Sequence, residues 1–205
     1  MVTRAESAAA TRRALLDAAA SLLAAGGPEA VTLREVGARA GVTRGAPYRH
    51  FADKDSLLTA VAAESWERLA DQVRAVRTDP ARSAVEKLRG ALDALIGVGR
   101  AQPHLYQLLF WQPGHLNRLE RLHRQVCGPE GDPEAASRAA DRFQDEFLAV
   151  VADVVGEDDA RRYGALLLTS AHGIAGMEHS GQLGTDKWQT SADSLVDTLI
   201  GMIAD

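Results

Sequence analysis

Apolar residues recur at three- and four-residue spacings along most of the chain, and this period indicates amphipathic helices. The first such run ends at the Gly-Gly-Pro of 26–28. Its apolar positions are Leu15, Leu16, Ala19, Leu22 and Leu23. No segment alternates β-branched and polar residues between turn signals, as a half-buried strand would. The pattern therefore predicts an all-α protein.

A second helix is predicted from about residue 33 to 40. Thr32 and Glu35 have the spacing of a capping box, in which each side chain accepts a hydrogen bond from the other residue's backbone. Val31 and Val36 occupy the hydrophobic positions on either side of this cap. The sequence thus marks the start of the second helix with two independent signals.

The segment GVTRGAPYRH at 41–50 is poor in apolar residues and rich in hydrogen-bond donors. Thr43 is a candidate cap, so that a two-residue turn would join the second and third helices as in a helix-turn-helix. Pro47, four residues after Thr43, would remove only the first hydrogen bond of the third helix. A helix that reads the DNA major groove needs donors on its outward side and small residues for close approach. The donors here are Arg44, Tyr48, Arg49 and His50, and the small residues are Gly45 and Ala46.

Further helices are predicted between breaks that contain Gly or Pro. The fourth should run through Trp66 to about Val76, and others should begin near Pro103 and near 112–114. The apolar faces of the later helices are formed by Leu88, Leu92, Leu95 and Ile96; Phe143, Phe147, Val150, Val151 and Val154; Leu166, Leu167, Ser170, Ile174 and Met177; and Leu195, Leu199 and Ile203.

Charge is distributed unevenly along the 205 residues, whose net charge is −5. Residues 1–54 carry a net +3, and residues 55–205 carry −8. A basic N-terminal region on an acidic remainder indicates that only this region approaches a polyanion. No apolar run is long enough for a membrane helix, so we expect a cytoplasmic protein that does not contact the membrane. The single cysteine, Cys127, excludes an internal disulfide framework.

The stretch TLREVGARAGVTRGAPYRHFADKDSLL resembles the N-terminal signature of TetR-type transcriptional repressors. The match covers about residues 10–60, and HGIAGMEHSG at 172–181 is similar to a segment of the penultimate helix in many of these proteins. The resemblance implies a three-helix helix-turn-helix domain at 1–55 and a larger helical ligand-binding and dimerisation domain at 56–205. It also implies a homodimer on palindromic double-stranded operator DNA, gated by a small-molecule effector, with no cofactor and no catalytic activity.

The resemblance also assigns roles to individual positions. Arg44, Gly45 and Ala46 match the base-reading positions of the family. The positions that match contacts to phosphates or nearby bases are Thr32, Arg34, Thr43, Tyr48, His50 and Lys54. We expect the ring of Tyr48 to pack in the small core with only its hydroxyl outside, and Phe51 to be a core residue.

A cavity for a largely apolar effector is predicted around Tyr106, Phe110 and Trp111, which crowd three aromatic rings into six positions. The further residues expected to line it are Trp66, Leu92, Leu109, His123, Phe147 and His172. For each residue alone, the alternative is a place in an ordinary helical core. We expect the dimer to form through the helices near 159–182 and 187–204, whose small residues Gly173, Ala175 and Gly176 permit close approach.

Two other classes of function fit parts of the sequence. Glu120 and His123 form one Glu-x-x-His pair, half of what a di-iron bundle uses, and no second pair exists in the sequence. His104, His115 and His123 are too dispersed to predict a zinc site, so no metal is expected. A helical adaptor that binds protein partners without DNA affinity is the remaining alternative, and the basic N-terminal region disfavours it.

Overall fold

The computed structural model describes residues 3–111 and 133–204, apart from the side chains of Trp111, Pro133 and Thr185. These residues form helices and turns with no strand among them, which confirms the all-α prediction. The helices are α1 (Arg4–Gly26), α2 (Leu33–Arg39), α3 (Pro47–His50), α4 (Lys54–Arg77), α5 (Ala84–Ala101), α6 (Pro103–Tyr106), α7 (Pro133–Val155), α8 (Glu157–His179), α9 (Thr185–Trp188) and α10 (Ala192–Ala204). A 3-10 turn follows α1 at Pro28–Ala30, and a π-helical turn follows α6 at Gln107–Trp111.

Local capping explains where the long helices begin and end. Thr3 and Glu6 form a reciprocal capping box at the start of α1, with hydrogen bonds of 2.6 and 3.2 Å. The backbone and hydroxyl groups of Ser83 both donate to Glu86 at the start of α5 and lower the pKa of that carboxyl. Gly27, at φ 68°, ends α1 at the predicted break.

The chain divides into two compact units, which are Met1–Ser65 with His104–Arg138 and Trp66–Pro103 with Ala139–Asp205. In the first unit α1 packs against α2 and α3. In the second unit α5 packs against α8, and α10 packs against both. Helix α4 contributes residues to each unit. The predicted domain boundary between residues 55 and 56 stays a prediction.

Most predicted apolar faces are buried. Leu88, Leu92, Leu95 and Ile96 of α5 are buried, as are Phe143, Phe147, Val150 and Val151 of α7. On α10 the buried stripe consists of Ala192, Val196 and Ile200, whereas Leu195, Leu199 and Ile203 are only half-buried. Helix α10 therefore carries two adjacent apolar stripes, and the predicted one is the less buried of the two. No helix in the described part of the chain is long and apolar enough to cross a membrane. The helix predicted near 112–114 lies outside the described residues.

Candidate nucleic-acid interface and ligand site

Helix α2 begins where the sequence predicts. The hydroxyl of Thr32 accepts a hydrogen bond from the backbone of Glu35 at 3.1 Å. The carboxylate of Glu35 pairs with Arg34 at 3.2 Å instead of returning to the backbone of Thr32, so only half of the predicted capping box forms. Val31 and Val36, the two flanking valines, are fully buried. Thr32 and Arg34 are themselves exposed.

The connection between α2 and α3 is longer than the two residues predicted. Thr43 is not the cap of α3, because the residue that precedes the helix is Ala46 and no side chain caps it. The carbonyl of Thr43 accepts a hydrogen bond from the backbone of Ala46 at 2.9 Å and closes a turn of four residues. Helix α3 begins at Pro47, so the proline occupies the first helical position, where the missing backbone donor costs nothing. Gly41 has φ 67°, a left-handed backbone conformation that glycine adopts without strain.

Most residues predicted to contact DNA are accessible. Thr43, Arg44, Gly45 and Tyr48 are exposed, and Ala46, His50 and Lys54 are half-buried. The expectation that the Tyr48 ring packs in the core is wrong, since this residue is 59% exposed, whereas the neighbouring Phe51 is buried. A methyl group at Gly45 would meet no atom within 4 Å, and its φ is not positive. Nothing among the described residues therefore requires a glycine at position 45.

The basic residues of 3–54 differ in whether they have a partner. Arg13 pairs with Asp17 at 3.0 Å and with Glu64 at 3.3 Å, and Arg34 pairs with Glu35. Of the described residues in this segment, the cations without an ion pair or ring contact are Arg4, Arg39, Arg44, Arg49 and Lys54. Two of these cations, Arg44 and Arg49, lie within the segment from Thr43 to His50, and Arg39 and Lys54 flank it in the sequence. Positive charge that carboxylates do not neutralise is therefore concentrated around α3.

The start of α4 carries its own cap. Asp53 accepts a hydrogen bond from the backbone of Ser56 at 2.7 Å, and the hydroxyl of Ser56 is 3.2 Å from the backbone nitrogen of Asp53. The carboxylate of Asp53 thus already accepts from one of the backbone donors at the start of α4. The side chain of Lys54 has no ion-pair partner among the described residues and remains available to an anion.

Four of the predicted ligand-binding residues belong to the second unit. Trp66 lies 5.2 Å from Phe143 between ring centroids, and Phe143 lies 5.9 Å from Phe147. Trp66, Leu92 and Phe147 are buried, so each fits the alternative of an ordinary core residue. His172 on α8 is half-buried, and burial lowers the pKa of its imidazole. The imidazole is therefore neutral at pH 7.

Three other residues predicted to bind the ligand belong to the first unit. Tyr106 and Leu109 are buried, and Phe110 is half-buried with its ring centroid 4.7 Å from that of Tyr106. Burial raises the pKa of the Tyr106 phenol, which stays protonated at neutral pH. The backbone of Trp111 belongs to the π-helical turn, a conformation frequent at functional sites. The side chain of Trp111 and the whole of His123 lie outside the described residues.

A surface cleft of about 230 Å³ lies between α5 and α8 in the second unit. It is lined by Gly99, Arg100, Ala175, Glu178 and His179, none of which was predicted to bind a ligand. Arg100 donates to Glu178 at 2.7 Å and to Asp193 at 2.9 Å, so its charge is already neutralised. The volume is below the range of about 300 to 1,000 Å³ usual for small-molecule sites. The cleft is not a good candidate for the effector site.

The described residues contain no group of three His, Cys, Asp or Glu side chains placed to hold a metal ion. Glu120 and His123, the Glu-x-x-His pair, lie outside the described residues, as do His115 and Cys127. His104 belongs to α6, and its ring would lie 3.3 Å from a methyl group added at Gly27. His104 therefore packs closely against the end of α1.

Comparison with known proteins identifies the family. A profile described as bacterial regulatory proteins of the tetR family matches residues 15–61. A second profile, the tetracyclin repressor-like C-terminal domain, matches residues 88–203, which is more than half of the chain. The chain belongs to the TetR family. It is a DNA-binding transcriptional regulator and not an enzyme.

The curated relatives of this TetR-family regulator are repressors. The HTH-type transcriptional repressor KstR of Rhodococcus jostii is 32% identical over 98 residues, which cover 48% of this chain and 45% of the relative. The HTH-type transcriptional repressor AcnR of Corynebacterium glutamicum is 34% identical over 83 residues, which cover 40% of this chain and 41% of the relative. The aligned part thus spans less than half the length of each relative.

Solved structures share the fold of this regulator over nearly the whole chain. A protein of unknown function from Rhodococcus sp. RHA1 superimposes with a TM-score of 0.72 at 24% identity, covering 95% of this chain and 96% of that one. A TetR-family transcriptional regulator from Streptomyces coelicolor gives a TM-score of 0.65 at 23% identity, and the superposition covers 97% of this chain and 99% of that one. At these identities the likeness shows the fold alone.

Sequence reasoning missed two side chains near α3. Asp53 could have been found, because Asp-x-x-Ser at 53–56 has the spacing of a cap. The role of Arg12 could not have been found from the sequence, because its partner Phe51 is distant in the chain. The Arg12 guanidinium lies 5.5 Å from the centroid of the Phe51 ring. Arg12 thus lies beside Phe51, the residue that follows α3.

The exposure of Tyr48 predicts that its ring contributes little to stability. Tyr48→Ala should change the free energy of unfolding by no more than about 0.5 kcal/mol. Phe51→Ala, which empties a buried site, should lower it by about 3 to 5 kcal/mol. Urea denaturation followed by circular dichroism measures both variants. Equal losses in the two variants would show that the Tyr48 ring is packed after all.

Proposed function

We propose that this TetR-family regulator is a homodimeric repressor that binds a palindromic operator and is released from it by a small, largely apolar molecule. The observation that carries the proposal is the cluster of cations around α3 that have no partner among the described residues, on a chain whose net charge is −5. The curated relatives KstR and AcnR are transcriptional repressors, which supports this role. Because its target is chromosomal DNA, we place the protein in the cytoplasm.

The proposed DNA contacts fall into two groups. Arg44, Gly45 and Ala46 belong to the exposed turn before α3, and there a guanidinium can pair with the edge of a guanine. Groups that contact phosphate fix orientation without specifying sequence. We assign that role to Thr32, Arg34, Thr43, Tyr48, His50 and Lys54. Arg34 must give up its exposed ion pair with Glu35, which costs little because exposed ion pairs are weak.

Arg44 and Lys54 should respond differently to salt and to sequence. Arg44→Ala should cost about 1 to 3 kcal/mol on a duplex that the wild-type protein selects from a randomised library. It should change the affinity for a scrambled duplex much less. Lys54→Ala should weaken both duplexes alike and reduce the slope of log affinity against log salt by about one unit per subunit. Fluorescence anisotropy at several salt concentrations measures both variants.

Arg82→Ala is the control for the loss of a cation, because Arg82 pairs with Asp79 in the second unit. Its affinity for both duplexes should equal that of the wild-type protein. If Arg44→Ala weakened selected and scrambled DNA equally, Arg44 would be a phosphate contact and the proposed base reading would be wrong.

The proposed dimer rests on apolar surface that the chain itself leaves uncovered. Leu166 on α8 is 49% exposed and Met202 on α10 is 75% exposed. Gly173 on α8 and Gly201 on α10 have open space where a methyl group would lie. The half-buried stripe of α10, at Leu195, Leu199 and Ile203, adjoins Met202. A two-fold axis at this surface would bury the same patch on both copies.

The double variant Leu166→Glu with Met202→Glu should be monomeric at micromolar concentration in multi-angle light scattering, whereas the wild-type protein should be a dimer. Two carboxylates per subunit would otherwise be buried without partners. Val85→Glu on α5 is the control, since Val85 is 40% exposed and lies outside this patch. A wild-type monomer, with or without DNA, would contradict the dimer.

We place the effector site around Trp66, Leu92, Phe147 and His172 in the second unit. The neutral imidazole of His172 could give a largely apolar molecule one polar anchor. Helix α7 carries Phe147 and is tied to α4 by ion pairs of Arg142 with Glu67 and Asp71. The pair between Arg77 and Glu146, at 2.8 Å, joins the same two helices. An effector that displaces α7 would therefore act on α4, and a coupling of about 1 to 3 kcal/mol is the usual scale.

His172→Ala should raise the effector concentration needed for half-maximal release of DNA by about fivefold or more and leave DNA affinity unchanged. The effector is any compound from a panel of small apolar molecules that dissociates the wild-type complex in the anisotropy assay. His179→Ala, an exposed histidine on the same helix, is the control. If both variants released DNA like the wild-type protein, the site would lie elsewhere, and Phe110 with Tyr106 in the first unit would be tested next.

A further inference from the structure

Helices α2 and α3 are in close contact at Gly37 and Pro47. A methyl group added at Gly37 would lie 2.8 Å from Cγ and 3.5 Å from Cδ of Pro47. It would also lie 4.0 Å from Cγ2 of Val42. Carbon atoms in contact are ordinarily about 3.5 to 4.0 Å apart, so only hydrogen fits at position 37 without movement. Both Gly37 and Pro47 are buried.

Neither the Pro47 ring nor the Gly37 backbone can move away from this contact without moving its helix. The ring atoms of Pro47 are bonded to its own backbone nitrogen, so they cannot rotate away as a long side chain can. Gly37 lies within α2, whose start is fixed by the Thr32 cap and by buried Val36. The carbonyl of Pro47 accepts the hydrogen bond from Phe51 at 2.9 Å that closes the single turn of α3. A displacement of the proline ring therefore moves the whole of α3.

We infer that Gly37 and Pro47 act as a matched pair of positioning residues that sets where the 43–50 segment lies on DNA. The inference rests on the proposed reading of bases by this segment. A guanidinium must lie within hydrogen-bond distance of a base edge to read it, and contacts to phosphates are less demanding because they carry no sequence information. A shift of α3 should therefore reduce sequence preference more than overall affinity.

A double-mutant cycle tests the pair in the full-length protein, with wild type, Gly37→Ala, Pro47→Ala and the double variant. Fluorescence anisotropy gives the dissociation constant for a duplex that the wild-type protein selects from a randomised library and for a scrambled duplex of the same composition. Gly97→Ala on α5 controls for the higher helix propensity of alanine, because a methyl group there meets nothing within 4 Å.

We expect Gly37→Ala to weaken binding of the selected duplex by about tenfold or more, and of the scrambled duplex by less than about threefold. Alanine at position 47 lacks the ring carbons that collide with the added methyl group. The double variant should therefore bind the selected duplex within about threefold of Pro47→Ala alone. Such recovery would not occur if Gly37 mattered only through backbone flexibility.

Two results overturn the inference. One is a Gly37→Ala variant that binds the selected duplex as the wild-type protein does. The other is a double variant whose fold loss of affinity for this duplex equals the product of the fold losses of the two single variants. If Gly37→Ala does not fold, circular dichroism of the double variant decides: a folded double variant supports the pair, and an unfolded one overturns it. A wild-type protein that selects no duplex refutes the proposed function and this inference with it.

Discussion

Helix α3 consists of only four residues, and this length is the constraint on which the proposed interface depends. A single turn fixes several backbone angles for one hydrogen bond, so it is unstable in isolation. Its stability must come from the surface on which it rests. Pro47 lies against Gly37, and Phe51 is buried with the guanidinium of Arg12 over its ring. These two contacts and the burial of Phe51 hold the exposed residues of α3 in place.

The distribution of ion pairs explains how an acidic chain can approach DNA. In the second unit, Arg77 pairs with Glu146, and Arg100 pairs with both Glu178 and Asp193. Those cations are neutralised by close carboxylates and contribute little long-range field. Arg44 and Lys54 have no such partner among the described residues. The sign of the local field is therefore set by the unpaired cations and not by the net charge of the chain.

The sequence predicted what is decided locally and missed what is decided by packing. The start of α2 follows from Thr32 and its flanking valines, which are neighbours in the sequence. The start of α3 was missed because a helix can begin after a threonine such as Thr43 or at a proline such as Pro47. In the structure Thr43 belongs to the preceding turn, so the helix begins at Pro47. The two apolar stripes of α10 are equivalent in the sequence pattern, and only packing against α5 and α8 distinguishes them. The exposure of Tyr48 likewise depends on contacts that no local motif encodes.

Helix α4 gives the proposed effector response a physical route. It is one uninterrupted helix of 24 residues, and its second half carries Glu67 and Asp71, which hold Arg142 of α7. Exposed ion pairs are individually weak, so these pairs specify the register of the two helices more than they add stability. Its first half begins at Lys54, beside the end of α3. Because the backbone hydrogen bonds of a helix resist bending, a displacement imposed on the second half would be felt at Lys54. In the proposed function, an effector would then weaken DNA binding by moving the proposed phosphate contact at Lys54, without touching the residues proposed to read bases.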